Sequence, residues 1–384
     1  MTHSDGPRSP GTAAGRYILL SLRILAAIAV TFIFLCSVAL LGRSFEATSK
    51  EFTHRLLDRA TNPFVGAFVG ILVTSLIQSS SATTSMVVGL VASGAMPIRV
   101  AVPVVMGANI GTTVTNTLVA MGHITRRTEF RRAFACSTIH DFFNVLNVIV
   151  LMPVEYFTHF LERMGTFLAR EFDVVTHFSA PRSPIKFATC WVVFHVERLI
   201  RRLPERWVAI SMAVLGVAVL FASLWMLVKI LKSLMAGQIE RSLNTYLDRH
   251  GPMGIAIGAA TTAAVQSSSV TTSFFVPIAA AGIMKPRQIY PLILGANLGT
   301  TVTAVLAALG ASVPSGLAIA LVHFLFNACG VLIFYPVPQL RIPVWLSERF
   351  ADFAARHRTL AIAYVVLAFY GIPFLLIFVG RHGR

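Results

Sequence analysis

The sequence has little charge, and acidic residues are especially few. Charged residues make up 12% of the 384 residues, against about 25% in soluble domains. The 32 Lys+Arg and 16 Asp+Glu give a net charge of +16. Proteins that bind nucleic acid carry basic residues clustered on a solvated face, whereas long apolar stretches separate them here. This composition excludes a soluble enzyme and a nucleic-acid-binding protein. It predicts an all-α polytopic membrane protein whose basic loops set its topology.

Cysteine is also scarce, and its placement excludes two further classes. The four cysteines show no CxxC or paired spacing, so neither a disulfide framework nor a metal site is supported. We interpret Cys36, Cys136, Cys190 and Cys329 as small buried hydrophobic residues. The first apolar run is too long for the hydrophobic region of a signal peptide, so we expect it to be retained as a span.

Long apolar runs dominate what is present. Six stretches come close to the roughly 20 residues that a bilayer requires, and we predict spans at 24–42, 98–120, 134–153, 208–230, 316–336 and 360–380. Two further stretches, 64–96 and 252–284, are each about 33 residues long, too long for one crossing and too short for two with a turn. Each has the polar sequence QSSS near its middle. A re-entrant helical hairpin or a broken helix fits both better than a plain span.

The strongest signal is an internal repeat. Residues 78–120 align without a gap onto 266–308, and more than half of the aligned positions are identical, including QSSS, GAN and GTT. Downstream, His140-x3-Asn144 matches His323-x3-Asn327. Shared polar residues in one register indicate a tandem duplication. We therefore divide the chain into a disordered cytoplasmic tail (1–15), repeat 1 (16–160), an inter-repeat loop with an interfacial helix (161–204) and repeat 2 (205–384).

The topology of the repeats depends on the inter-repeat segment. Residues 195–206 are too charged to span and are typical of an interfacial amphipathic helix. If 186–202 does not cross, the two repeats are inverted, and the N-terminus with the loops 122–133, 231–251 and 338–358 faces the cytoplasm, in agreement with the positive-inside rule. If 186–202 crosses, the repeats are parallel.

Two copies of a Ser/Thr/Asn/Gly-rich element at membrane depth predict one transport site at the repeat interface. Hydroxyls and backbone N–H groups at a helix start can bind an anion. The glycines of GAN-[IL]-GTT are expected to leave such N–H groups free and to let backbone approach a ligand. No Lys or Arg lies within either hairpin, and Asp141 is the one acid clearly inside an apolar span. Since burying unpaired charge is costly, cations should enter together with the anion.

The paired QSSS motifs, each followed by GAN-[IL]-GTT and H-x3-N, resemble the type II sodium-dependent phosphate cotransporters, as in a minimal bacterial member of that family. The resemblance implies sodium-coupled symport of inorganic phosphate by alternating access across a bacterial inner membrane, with inverted repeats whose hairpins meet near the bilayer centre. It implies phosphate binding by six serines: Ser79, Ser80, Ser81, Ser267, Ser268 and Ser269. It implies sodium binding, with some contact to phosphate, by Gln78, Thr83, Thr84, Asn109, Thr112, Thr113, Gln266, Thr271, Thr272, Asn297, Thr300 and Thr301.

Several alternatives stay open at this point. The same site would suit another small anion (sulfate, arsenate or a carboxylate), or a membrane sensor that binds an anion without moving it. An intramembrane hydrolase using His140 and Asp141 is disfavoured, because nucleophilic catalysis needs one activated serine beside one base and repeat 2 has Phe324 in place of the acid. For Arg99 and Arg287, at equivalent positions, headgroup anchoring is favoured over phosphate capture. The sequence does not determine the oligomeric state.

Overall fold

A computed structural model describes residues 13–46, 62–179, 184–235, 251–311 and 313–382, and the regular structure in these ranges is helical. The first half contains α1 (Ala13–Glu46), α2 (Pro63–Ile77), α3 (Ser80–Ala92), α4 (Ile98–Gly111), α5 (Val114–Met121), α6 (Arg127–Thr158), α7 (Phe160–Ser179) and α8 (Pro184–Ile200). The second half contains α9 (Glu205–Met235), α10 (Gly251–Val265), α11 (Ser268–Ala280), α12 (Pro286–Ala311), α13 (Pro314–Phe334), α14 (Ile342–Ala354), α15 (Arg358–Val366) and α16 (Ile372–His382). Short 3-10 and π segments lie at Pro338–Leu340 and Leu367–Gly371.

The helices confirm an all-α polytopic membrane protein. Within the described residues, six helical segments are long and apolar enough to cross a bilayer: Tyr17–Phe34, Ile98–Met121, Arg127–Thr158, Pro286–Ala311, Pro314–Phe334 and Arg358–Val379. Five of them correspond to predicted spans. The sixth, Pro286–Ala311, was missing from the prediction although the repeat pairs it with 98–120. The predicted span 208–230 lies within α9, and α8 is not among the candidate spans. Of the predicted tail, residues 13–15 are helical, and 1–12 lie outside the described residues.

In both hairpins one helix ends and the next begins at the QSSS motif. Gln78 and Gln266 each end a helix in the left-handed conformation, with φ of 57°. The next residues, Ser79 and Ser267, are extended and cap α3 and α11 by accepting from the N–H groups of Ala82 (3.2 Å) and Val270 (3.4 Å). Serine is a favoured N-cap residue because its hydroxyl satisfies a free N–H of the first turn. The same local structure therefore forms twice from the same sequence.

Glycines allow each hairpin to pack closely against the helix that follows it. A Cβ on Gly107 would overlap the carbonyl oxygen of Ala67 in α2, and one on Gly295 would overlap that of Ile255 in α10. The GAN glycines thus contact the hairpin backbone and lie inside α4 and α12. The expectation that they open a helix and face a ligand is wrong.

The first hairpin enters and leaves at one end of the helix bundle. Near its start, Gly66 faces Pro103 in the first turns of α4, and near its tip the Ser75 hydroxyl donates to the Gly111 carbonyl at 3.4 Å. Gly111 is about halfway along the Ile98–Met121 span. The hairpin tip therefore stops midway through the bundle, and α3 returns to the end from which α2 came.

Each hairpin ends in a turn that leads into the next helix, 93–97 after α3 and 281–285 after α11. These two hairpin turns lie at opposite ends of the bundle. At one, the B end, the Ser315 hydroxyl at the start of α13 donates to the Val91 carbonyl beside the first turn (3.5 Å). At the other, the A end, Arg132 lies against Gly282 in the second turn, and Arg131 pairs with Asp352 of α14. The span Ile98–Met121 consequently runs from B to A, whereas α12 runs from A to B.

Helices of each half pack against helices of the other half. From the first half, α3 packs against α12 and α13, and α7 packs against α13. From the second half, α11 packs against α5 and α6, and α14 packs against α6. The equivalent helices α1 and α9 pack against each other. A Cβ on Gly330 would meet Asn147, which occupies the equivalent position in the other half. Contact between equivalent residues is expected where a two-fold axis passes between the halves.

Candidate functional site

A buried polar cluster joins the halves at the level of the hairpin tips. Nε2 of His140 lies 2.6 Å from Oδ1 of Asn297, and Nε2 of His323 lies 3.2 Å from Oδ1 of Asn109. In each case the histidine of one repeat's H-x3-N motif meets the GAN asparagine of the other repeat. All four side chains are buried. We call these two reciprocal contacts, His140 with Asn297 and His323 with Asn109, the clasp. It explains why polar residues recur in one register within apolar helices.

The second residue of each H-x3-N motif strengthens the clasp. The Asn297 amide donates to Oδ1 of Asn144 (3.0 Å), and Asn144 donates to the Asn109 carbonyl (2.8 Å). On the other side, the Asn327 amide donates to Oδ1 of Asn109 (3.3 Å). His140, Asn144 and Asn297 have both of their polar side-chain atoms hydrogen-bonded, whereas Nδ1 of His323 and Oδ1 of Asn327 have no partner among the described residues. These contacts hold the helices that carry the GAN and H-x3-N motifs.

Asp141 is the centre of a second cluster, which exists in one half only. Its Oδ2 accepts hydrogen bonds from Tyr364 OH (2.8 Å) and Thr117 Oγ1 (3.2 Å). Its Oδ1 is buried and has no hydrogen-bond partner among the described residues. Repeat 2 has Phe324 and Val305 in the positions of Asp141 and Thr117. A buried carboxylate oxygen without a partner is a strong candidate to bind a cation.

Asn116 connects the second hairpin to His140. Its Oδ1 accepts from Thr272 (2.9 Å) and Ser273 (3.0 Å) in α11, and its amide faces Nδ1 of His140 at 3.2 Å. With Nε2 bonded to Asn297, the network assigns the proton of the imidazole to Nε2. The position equivalent to Asn116 in repeat 2 is Ala304, so this link too occurs once.

The six QSSS serines occupy two equivalent turns. Ser79 and Ser267 serve as N-caps, while Ser80, Ser81 and Ser268 are buried. The side chains of Ser80 and Ser81 make no hydrogen bond to another described residue. The N–H groups of the first helical turn have no acceptor within their own helix. Each turn therefore offers free hydroxyls and N–H groups; the full set is Ser79, Ser80, Ser81, Ser267, Ser268 and Ser269.

The two glutamines differ in their surroundings. Gln266 is buried, accepts from Thr303 (2.7 Å) and donates to the Ala263 carbonyl (2.6 Å). Gln78 is exposed. The two backbone turns are equivalent, but Gln266 stabilises the local structure, whereas Gln78 is free to contact a ligand.

Most of the predicted sodium-binding threonines bond back to their own helix. Thr83 and Thr271 donate to the carbonyls of Ser79 and Ser267 at 3.1 and 3.2 Å, a common pattern in membrane helices. Similar bonds, 2.7 to 2.9 Å long, are made by Thr113, Thr272, Thr300 and Thr301. A hydroxyl that donates in this way keeps lone pairs for a cation, although Thr83 already accepts one hydrogen bond, from Thr74 at 3.0 Å.

Several buried hydroxyls in and beside the first hairpin have no hydrogen-bond partner among the described residues. Thr84 Oγ1 and Ser85 Oγ lie in α3, and Thr112 Oγ1 and Thr115 Oγ1 lie at and after the end of α4. A further one, Thr262 Oγ1, lies in α10 of the second hairpin. Native proteins leave few buried polar atoms unpaired. The first tip is thus equipped to receive a polar ligand.

Four residues of these clusters were absent from the prediction: Asn116, Thr117, Ser273 and Tyr364. Asn116 and Thr117 could have been found, because they are polar at positions where repeat 2 carries Ala304 and Val305. Tyr364 is distant from Asp141 in sequence and has no motif, so nothing in the sequence pointed to it.

Similarity to known proteins covers most of the chain. The sequence model of a family described as Na+/Pi-cotransporter matches residues 33–168 and 219–339, one segment in each half. Sodium-dependent phosphate transport protein 2B of Homo sapiens is 33% identical over 91% of this chain and 64% of its own length. Protein 2A of Ovis aries is 32% identical over 92% of this chain and 67% of its own length. The chain thus spans less than two thirds of the human relative. No solved structure matches it.

Proposed function

Because the chain belongs to the Na+/Pi-cotransporter family, we propose that it is a secondary active transporter that moves inorganic phosphate together with sodium. Its relatives are named as sodium-dependent phosphate transport proteins. That naming favours symport over a hydrolase or a sensor.

The observation that carries this proposal is the pair of broken hairpins. Each stops midway through the bundle and ends in a serine-capped helix start, and their turns lie at opposite ends. A solute bound between the two tips would have two access paths. One leads from the B end past the first hairpin, and the other leads from the A end past the second hairpin. Alternating access follows if the halves open one path at a time.

Phosphate binds, in this proposal, to the serine turns. Ser80 and Ser81 offer free hydroxyls, and the N–H groups at the start of α3 and α11 add the positive ends of two helix dipoles. Neither hairpin contains Lys or Arg. A phosphate bound there keeps most of its negative charge, so a cation must neutralise it.

Sodium supplies that neutralisation. Hard cations prefer oxygen ligands. Oδ1 of Asp141 and the hydroxyls of Thr112 and Thr84 are buried oxygens that have no hydrogen-bond partner in the part of the chain that the structure describes. The wider set of proposed sodium-binding residues keeps the sequence assignment: Gln78, Thr83, Thr84, Asn109, Thr112, Thr113, Gln266, Thr271, Thr272, Asn297, Thr300 and Thr301. To these we add Asp141. Oδ1 of Asn109 and of Asn297 also accepts from a histidine, so we expect both asparagines to hold the two halves together in addition to binding sodium.

Inverted repeats complete the proposal. The span Ile98–Met121 runs from B to A and its equivalent α12 runs from A to B, which supports inversion over a parallel arrangement. The pairs Arg131 with Asp352 and Arg358 with the Thr125 carbonyl (3.2 Å) join 122–133 to 338–358 at the A end. That end carries the basic loops, so we assign it to the cytoplasm.

Uptake of radiolabelled phosphate into proteoliposomes under an imposed sodium gradient tests the function. We expect uptake that stops when sodium is replaced by choline, and a Ser81→Ala/Ser269→Ala variant should lose most of it. Ser93→Ala, in the turn of the first hairpin, is the matched control because the Ser93 hydroxyl donates to the Leu90 carbonyl (3.0 Å) and to no other group in the described ranges. Uptake that does not require sodium would overturn the proposal, and stronger competition by sulfate or a carboxylate than by unlabelled phosphate would reassign the anion.

A further inference from the structure

A cleft of about 400 Å³ opens at the B end, where α7 passes the start of α4. Arg99 lines it from the first turn of α4, and Arg163, Thr166 and Arg170 line it from α7. The three α7 residues follow the spacing i, i+3, i+7, so they share one helix face. The cleft adjoins the turn of the first hairpin, which contains no Lys or Arg of its own.

The arginines of this cleft are not neutralised. Arg99, Arg163 and Arg170 are exposed, and within the described ranges none of them forms an ion pair. The acid that lines the cleft, Glu162, lies 3.5 Å from Nδ1 of His159. The start of α4 adds positive potential, because its N-cap residue Pro97 provides no side-chain hydrogen bond to the first-turn N–H groups.

An equivalent cleft of about 390 Å³ lies at the A end, lined by Arg287 and Arg341. Here the cations have partners. Arg287 lies 3.5 Å from Glu348, while Arg341 donates to the Tyr335 carbonyl (3.1 Å) and stacks on the Tyr335 ring at 4.8 Å. The two clefts thus lie at opposite ends of the bundle, and the guanidinium groups of the one at the B end have no acidic partner among the residues that the structure describes.

We propose that Arg99, Arg163 and Arg170 bind a phosphate group in the B-end cleft and capture the transported anion before it reaches the first hairpin tip. The inference rests on the proposed function. Arginine matches the tetrahedral oxyanion because its fork of N–H groups donates to two oxygens at once. The partnered cations at the A end hold an anion more weakly, which suits release. Free phosphate and a lipid headgroup present the same oxyanion, and the experiment separates them.

The test compares the wild-type chain with an Arg99→Gln/Arg163→Gln/Arg170→Gln triple variant. It also compares two single variants, Arg99→Gln and Arg287→Gln, whose positions are equivalent in the two clefts. Sodium-driven phosphate uptake is measured at low ionic strength in vesicles of phosphatidylcholine alone. We expect the triple variant to raise the KM for phosphate at least about fivefold with an unchanged maximal rate, and Arg99→Gln to raise it more than Arg287→Gln does. Added salt should reduce the difference between wild type and triple variant.

Two further arms settle the source of the oxyanion. Spin-labelled phosphatidylglycerol is titrated into both proteins; preferential binding to the wild type, with an unchanged phosphate KM, assigns the cleft to a lipid phosphate. An unchanged KM together with equal lipid binding overturns the proposal. Equilibrium dialysis of radiolabelled phosphate without sodium measures phosphate binding to the cleft directly, even if the wild-type protein shows no uptake. A failure of the transport function is therefore distinguishable from a failure of the capture site.

Discussion

The Nε2 atom of His140 lies 2.6 Å from Oδ1 of Asn297, and the equivalent His323 makes the reciprocal contact with Asn109 at 3.2 Å. Each repeat therefore contributes the histidine to one contact and the asparagine to the other. Because both contacts are buried, removing either partner leaves a polar group without its hydrogen bond, which costs about 1–3 kcal/mol.

The clasp predicts non-additive destabilisation. His140→Ala and Asn297→Ala should each lower the free energy of unfolding by about 1–3 kcal/mol, and the double variant should lose clearly less than their sum. Denaturant unfolding of the detergent-solubilised protein measures all three. His357→Ala, at an exposed position at the A end, should have little effect. Additive losses would show that the two side chains do not depend on each other.

Asp141 is predicted to set the sodium dependence. Asp141→Asn keeps the size of the side chain but removes the charge of the unpartnered Oδ1, so the KM for sodium should rise at least about tenfold, equivalent to about 1.4 kcal/mol. Asp352→Asn is the control, since its ion pair with Arg131 is largely exposed and such pairs contribute little. An unchanged sodium KM would make Asp141 a structural acid held by Tyr364 and Thr117.

A substitution of Gln78, the exposed glutamine of the first hairpin tip, is expected to affect phosphate binding without lowering stability. Gln78→Gly removes the amide while relieving a left-handed conformation that glycine adopts freely. We expect phosphate uptake to fall while the thermal unfolding midpoint stays constant or rises. Gln266→Gly should also lower that midpoint, because it deletes the bond from Thr303. Full uptake by Gln78→Gly would remove Gln78 from the site.

The glycine contacts beneath the hairpins predict a sharp contrast between two helical glycines. Gly107→Ala forces a methyl group into the Ala67 carbonyl and should lower the thermal midpoint strongly, since overpacking at a backbone contact requires the helices to separate. Gly316→Ala meets only ordinary contacts of 3.4 Å or more and should be neutral or stabilising, because alanine favours helix. Equal behaviour of the two variants would contradict the close packing.

The repeat and the hairpin breaks were predictable because they depend on local chemistry. QSSS specifies a serine N-cap after a helix, and its duplication made the pattern unmistakable. The clasp was not predictable in this way: His140 and Asn297 recur in both halves, and a sequence alone does not reveal that each motif bonds across rather than within its repeat. Tyr364 reaches Asp141 only through the packing of the second half against the first. The GAN glycines were misread because a glycine that seats a helix and one that faces a ligand look alike in sequence.

The crossed clasp has an evolutionary consequence. The contacts between His140 and Asn297 and between His323 and Asn109 are those that two copies of a single half would make as a symmetric dimer. In such a dimer every substitution appears twice. Once the copies are joined in one chain they can diverge, and Asp141, Asn116 and Thr117 are each present in one copy only. Fusion thus allowed an acidic group to be introduced on one side of the axis without a second, repelling charge on the other.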